Sequence, residues 1–243
     1  NCLGTARDLG QAELVSQVAQ LMYSEPDNVY FYGVAWLDGD GTLYITKEYN
    51  QPLVPVLEGG RQIAAVGYGL RYGICVLMED GTVSMISAGE ETLPEGIRDA
   101  DGWSGIAQIA GCAGRNDTGI VLGLKEDGTV ISAVSPEYAG VLEGDWTQID
   151  SLYSGDYAIG AIRKDGTAQF LEDSPEYNFG QYNTSGWTDL TQLALGQFHT
   201  AGLRSDGTVY ATGRNDNGQC DVEDWTDIVW IAAGDTCTVG VRA

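Results

Sequence analysis

Asp-Gly-Thr occurs five times in this chain, at Asp40, Asp80, Asp127, Asp165 and Asp206, and is followed each time by Leu43, Val83, Val130, Ala168 or Val209. The steps are 40, 47, 38 and 41 residues. Self-similarity at such a period constrains the architecture more than any single residue, because each unit has to bury its apolar face on its neighbours. A second series, Trp followed by Ser or Thr, runs through Trp103, Trp146, Trp187 and Trp225. Aliphatic pairs three residues apart follow it: Ile106/Ile109, Ile149/Leu152, Leu190/Leu193 and Ile228/Ile231. The same pair without its Trp stands at Ile63/Val66 and, by alignment of "QVAQLMYS" with "DLTQLALG", at Val18/Leu21, which makes six copies.

The two ends of the chain are complementary in phase. "CTVGVRA" at the C-terminus matches "HTAGLRS" from His199 and stops where Asp-Gly-Thr is due, while "CLGTARDLGQ" at the N-terminus matches "ATGRNDNGQ", which follows that turn. The expectation is a closed ring of six blades of about 40 residues in one domain, residues 1–243, whose last blade is shared by the termini. The copies run approximately over 18–62, 63–105, 106–148, 149–189, 190–227, and 228–243 closed by 1–17, with residues 1–9 pairing with 235–243.

An Asp-Gly pair between alternating strands predicts a tight hairpin turn, with both residues at positive φ. An aliphatic residue precedes each turn, at Leu37, Leu77, Leu124, Ile162, Leu203 and Val241. The aliphatic pair makes a third strand and the stretch after the polar loop a fourth, so the fold class is all-β, a β-propeller. One segment reads two ways. Residues 11–22 put Leu14, Val15, Val18, Leu21 and Met22 on one helical face, but the repeat alignment makes 18–24 a strand, with a helical turn left open at 11–16.

The stretch "HTAGLRSDGTVYATGRNDNGQCDVEDWTDIVWIAAG", residues 199–234, resembles the repeat of the regulator of chromosome condensation family, whose members form β-propellers. The match is close over residues 190–243, and its phase holds along the whole chain. The best-known members have seven blades, against six here. The resemblance implies docking of a loop-rich face onto another protein, as in an exchange factor for a small GTPase or in secreted inhibitors of β-lactamases. Acidity and the bacterial character of such repeats point to a secreted or cell-surface protein.

Composition narrows the partners. Twelve Lys and Arg stand against 35 Asp and Glu, a net charge of −23. Nucleic-acid affinity comes largely from cations that displace counterions, so duplex DNA and RNA are not expected partners. No apolar stretch approaches the ~20 residues that cross a bilayer, and a monomer is expected.

Chemistry is sparse. His199 is the one histidine, and in the other copies its place is filled by other residues, Cys237 in the last. Cys2, Cys75, Cys112, Cys220 and Cys237 have no metal-ligand or disulfide-framework spacing and read as small hydrophobes. "DGDG" at 38–41 lacks the distal Glu of a calcium loop, and reads as a widened hairpin turn. "NTS" at Asn183 is a single sequon. No cofactor, metal or catalytic group is expected.

What recurs without being needed for folding is aromatic decoration of the loops. Tyr49, Tyr138 and Tyr177 follow the outer strands, and Tyr72, Tyr157 and Phe198 lie before the next hairpin, with Glu48, Glu137 and Glu176 beside the first three. Placed on one face, they predict a binding surface for another protein, because aromatics give large contact area at low entropic cost. The alternative is a secreted glycan-binding protein or glycoside hydrolase, with the tyrosines stacked on sugars and two carboxylates doing the work. A guanine-nucleotide exchange factor is the further alternative. It calls for a wedge-like insertion, for which only "GEETLPEGIRDADG" is available.

Overall fold

Strands built from the repeating aliphatic positions account for nearly all the regular structure. The structure, a computed structural model, describes residues 17–24, 30–46, 55–66, 73–87, 92–93, 95–113, 119–135, 145–155, 158–172 and 178–243. These form six antiparallel sheets and one 3-10 turn, Ile97–Ala100. The chain divides after Gly144 into two compact units.

The first unit holds three sheets in strand order. They are β1 (Gln17–Ser24), β2 (Tyr30–Leu37), β3 (Leu43–Thr46) and β4 (Pro55–Leu57); β5 (Gly60–Val66), β6 (Gly73–Met78) and β7 (Val83–Ser87); and β8 (Ile106–Ala113), β9 (Gly119–Lys125) and β10 (Val130–Val134). The second unit holds β11 (Ile149–Ser154), β12 (Ala158–Arg163) and β13 (Ala168–Glu172); β14 (Leu190–Leu195), β15 (His199–Arg204) and β16 (Val209–Gly213); and β17 (Ile228–Ala233) with β18 (Thr238–Arg242). Residues 17–24 are strand, as the repeat alignment requires. A fourth strand is present only in the first sheet among the described residues, where four per copy was expected.

Aliphatic residues three apart would point to opposite faces of a flat strand. Each first strand from β8 onward avoids this with a bulge inside the pair, for example between Leu190 and Gln192 and between Ile228 and Trp230. The extra residue brings both members of the pair to one face. Ile149 with Leu152, and Leu190 with Leu193, are accordingly buried together. In β5 the bulge falls between Gly60 and Gln62, so Ile63 is the second member of its copy and Gly60 holds the first place, which corrects the expected pair Ile63/Val66 by three residues.

The Asp-Gly-Thr turns differ from the expected two-residue form. Gly81 N–H donates to Met78 O at 3.0 Å and Met78 N–H to Thr82 O at 2.8 Å, which leaves a three-residue loop, Glu79-Asp80-Gly81. Only the glycine has positive φ, 80° at Gly81 and at Gly207. This is a type I turn closed by a left-handed glycine, and the Asp serves as a cap instead. Asp80 Oδ1 accepts from Thr82 N–H at 2.9 Å and from its hydroxyl at 2.6 Å, with the same pair of bonds at Asp127, Asp165 and Asp206. "DGDG" is not widened: Asp38 N–H donates to Thr42 O across three residues, as in its siblings.

Trp103, Trp187 and Trp225 each pack on their own sheet through a glycine one residue before the strand-end aliphatic, whereas Ala161 holds that place in the Trp146 copy. A Cβ at Gly202 would lie 2.7 Å from Trp187, and one at Gly240 2.6 Å from Trp225. Successive sheets within a unit are joined by glutamine side chains that act as extra peptide groups. Gln62 donates to Ile109 O at 2.8 Å and accepts from Ile109 N–H at 2.9 Å. Gln192 makes the same two bonds, both 2.9 Å, with Ile231. Leu203, Ala201 and Ala194 then bury against Ile228 and Ile231 of the next sheet.

The last sheet breaks the pattern. Val241, at the position of buried Leu203, is 47% exposed, and its cross-strand partner Trp230, at the place of Gln192, is 48% exposed.

Candidate recognition surface

The strands of the C-terminal unit have two unlike ends. One carries the Asp-Gly-Thr turns. The other carries the turns entering the second strands, closed by Gly155 N–H to Ala158 O, Gly196 N–H to His199 O and Gly234 N–H to Cys237 O, all 2.9 Å. It also carries the polar loops 178–183 and 214–221.

Repeated Gly-Gln pairs hold those loops. Gln181 and Gln219 are buried, and their carbonyls accept from Phe179 N–H at 2.5 Å and Asn217 N–H at 2.8 Å. Asn178 accepts from Gly180 N–H at 2.8 Å, and Asn215 from Cys220 N–H at 2.8 Å. The loops meet at Gly213, φ 111°, where a Cβ would stand 2.5 Å from Phe198 O and 3.0 Å from the Gln181 Cα. Thr212 hydroxyl to Gly180 O at 3.1 Å and Arg214 N–H to Phe198 O at 2.8 Å complete the junction.

That junction sets Phe179 edge-on to Phe198, with ring centroids 4.9 Å apart. The Arg214 guanidinium lies 5.9 Å from one centroid and 6.0 Å from the other, and its Nε pairs with Asp216. Phe179 is 50% exposed and Phe198 half-buried. The arrangement is a rigid aromatic and cationic patch on tightly hydrogen-bonded loops. Its composition is that of binding anchors, since Arg and aromatics dominate interface energetics.

Of the expected site residues, Phe198 lies in this patch. Tyr49, Tyr72, Tyr138, Tyr157, Tyr177, Glu48, Glu137 and Glu176 lie outside the described residues. Phe179 and Arg214 were not singled out from sequence, although Phe179 sits two residues from Tyr177. The repeated Gly-Gln pair, 180–181 and 218–219, was the available signal for this rigid loop pair.

His199 is buried at the joint between two sheets. Its Nε2 lies 2.9 Å from the Thr238 hydroxyl, which donates onward to Gln219 O at 2.7 Å. The hydroxyl therefore accepts from Nε2–H, and Nδ1 has no well-formed hydrogen bond. Burial lowers its pKa, with a partial offset from the Cys237 backbone. This histidine is structural. Cys75 and Cys112 are buried as expected, whereas Cys220 and Cys237 are half-buried, and all four are free thiols. Burial pushes Cys75 up to about 12, which removes thiolate chemistry.

In the N-terminal unit the described part of the long insertion does not protrude as a wedge. Leu93, Ile97 and Ala100 are buried in the core with Ile106 and Val121, beside a cleft of about 590 Å³ lined by Met85, Thr92, Glu95 and Arg98. Among the described residues no group of three His, Cys, Asp or Glu is placed to hold a metal, and no helix is long and apolar enough to cross a membrane.

Residues 190–219 match the regulator of chromosome condensation (RCC1) repeat. No curated protein sequence matches the chain. Among solved structures it is similar to human WBSCR16, with 13% identity and a TM-score of 0.56 over 87% of this chain and 70% of that one. It is also similar to Prp20p from Saccharomyces cerevisiae, described with its binding to Gsp1p and histones, with 16% identity and a TM-score of 0.51 over 87% and 67%. Yeast RCC1 (Prp20) bound to Kap60 matches at 15% identity and a TM-score of 0.50, over 87% and 64%. The chain thus spans about two thirds of the length of these proteins. It carries an RCC1 repeat, and its architecture is that of the RCC1-type β-propellers.

Proposed function

We propose that this protein is a non-catalytic binding propeller that docks another protein on the loop end of its blades. The observation that carries the reading is the Phe179–Phe198–Arg214 patch: a half-exposed ring on a loop fixed by buried glutamines. Rings and guanidinium ordered in advance lose little entropy on binding.

The reading includes closure of the six copies into one ring, with residues 1–9 completing the last blade. The exposed Trp230, Val239 and Val241 support it, because their counterparts in the preceding sheet lie under the next one.

The test places the photo-crosslinker benzoylphenylalanine at position 179 and, separately, at Asp206 on the opposite turn, in extract of the source cells. A discrete protein adduct from position 179 alone is expected. Adducts from position 206 alone, or glycan-array binding abolished by Phe179→Ala, would replace this reading.

A further inference from the structure

Charge is segregated along the blades of the C-terminal unit. Four of its five Lys and Arg residues belong to the Asp-Gly-Thr end. Arg163 and Lys164 flank one turn; Arg204 pairs with Asp189 and Asp206 beside the next; Arg242 donates to Thr226 O at 3.1 Å. The loop end keeps only Arg214, whose charge is balanced by Asp216. Asp221 and Asp235 are exposed there and have no cationic partner among the described residues: Asp221 accepts from the Asn215 amide at 2.7 Å, and Asp235 stands in the 234–237 turn. That turn adjoins the Phe198 turn, since a Cβ at Gly196 would lie 2.6 Å from Gly234 O.

The result is an aromatic centre with an acidic margin on a chain of net charge −23. Ring faces attract cations, and Arg214 already uses this pair so. A margin of like sign repels acidic surfaces and steers basic ones. Resting on the recognition reading above, the geometry points to a basic protein surface as the occupant: an apolar or aromatic side chain seated on Phe179 and Phe198, flanked by Lys or Arg that face Asp221 and Asp235.

The test is selection of a phage-displayed random 12-residue library on the whole protein, followed by surface plasmon resonance with the selected peptides at low and high salt. Enriched peptides should carry net positive charge around an aromatic or aliphatic residue. Phe179→Ala with Phe198→Ala should weaken them at least tenfold, with an unchanged thermal melt. Asp221→Asn with Asp235→Asn should slow association several-fold and flatten its salt dependence. Peptides that need the two rings but are neutral or acidic overturn the partner class and leave the docking site standing. Peptides indifferent to the rings, or no enrichment at all, overturn both.

Discussion

Gly202 shows how tightly single residues specify this repeat. The sheet surface beneath Trp187 is bare only because residue 202 has no side chain, and Leu190 Cδ2 stands 2.8 Å from where a Cβ would go. Gly202→Ala should therefore cost about 1–3 kcal/mol through overpacking, read as a shift in urea midpoint at constant slope. His199 makes a prediction of opposite kind, in pH. Its folded pKa lies below the ordinary value of 6.5, so the neutral form is the one that fits. Its contribution is complete above about pH 6.5 and is lost as pH falls through the lower folded value. His199→Gln keeps a donor for Thr238 but cannot titrate. The melting temperature of the wild type should fall more steeply than that of the variant between pH 6.5 and 5; parallel profiles would show that His199 does not titrate across that window. At this scale Phe198 was legible because it breaks a polar loop. Arg214 was not, because its partner rings come from two other loops and no local pattern joins them.

Blades meet through backbone-like contacts, and the glutamine one residue before the second aliphatic makes them. Removing Gln192 leaves both Ile231 N–H and C=O at a buried joint without their partner. Gln192→Ala is expected to destabilise by about 1–3 kcal/mol, and Gln192→Glu by a similar amount because its carboxylate opposes the Ile231 carbonyl. A urea titration in which Gln192→Glu matched the wild type would mean that the donor half of the contact carries no weight. The strands themselves were plain in the sequence: the aliphatic pairs that follow Trp103, Trp146, Trp187 and Trp225, the pre-turn residue and Asp-Gly-Thr fall where the sheets need them, whereas the pair without its Trp at Ile63/Val66 falls three residues late, because Gly60 stands where its first aliphatic is due. Two local devices were not. The three-residue spacing conceals a bulge, since period alone does not say which residue is extra. The turn dipeptide fits either of two loops, and only the Asp–Thr bonds and the strand pairing choose the three-residue one.

For the molecule as a whole, repeat period and charge carried the argument, and both are global properties that survive local degeneracy. The count of six came from phase, the architecture from the period, and the expected class of partner from 35 acids against 12 bases. A docking surface built on loops needs the blades beneath it to be fixed, and the last sheet has only two strands among the described residues. An uncompleted β18 would leave an edge of unpaired backbone groups and an apolar face in water. Hydrogen exchange of the β18 amides, Thr238–Arg242, compared between the full chain and a chain lacking residues 1–9, tests closure directly. Closure predicts slow exchange in the full chain at the amides that point away from β17, and fast exchange there after the deletion. Equally fast exchange in both would contradict it.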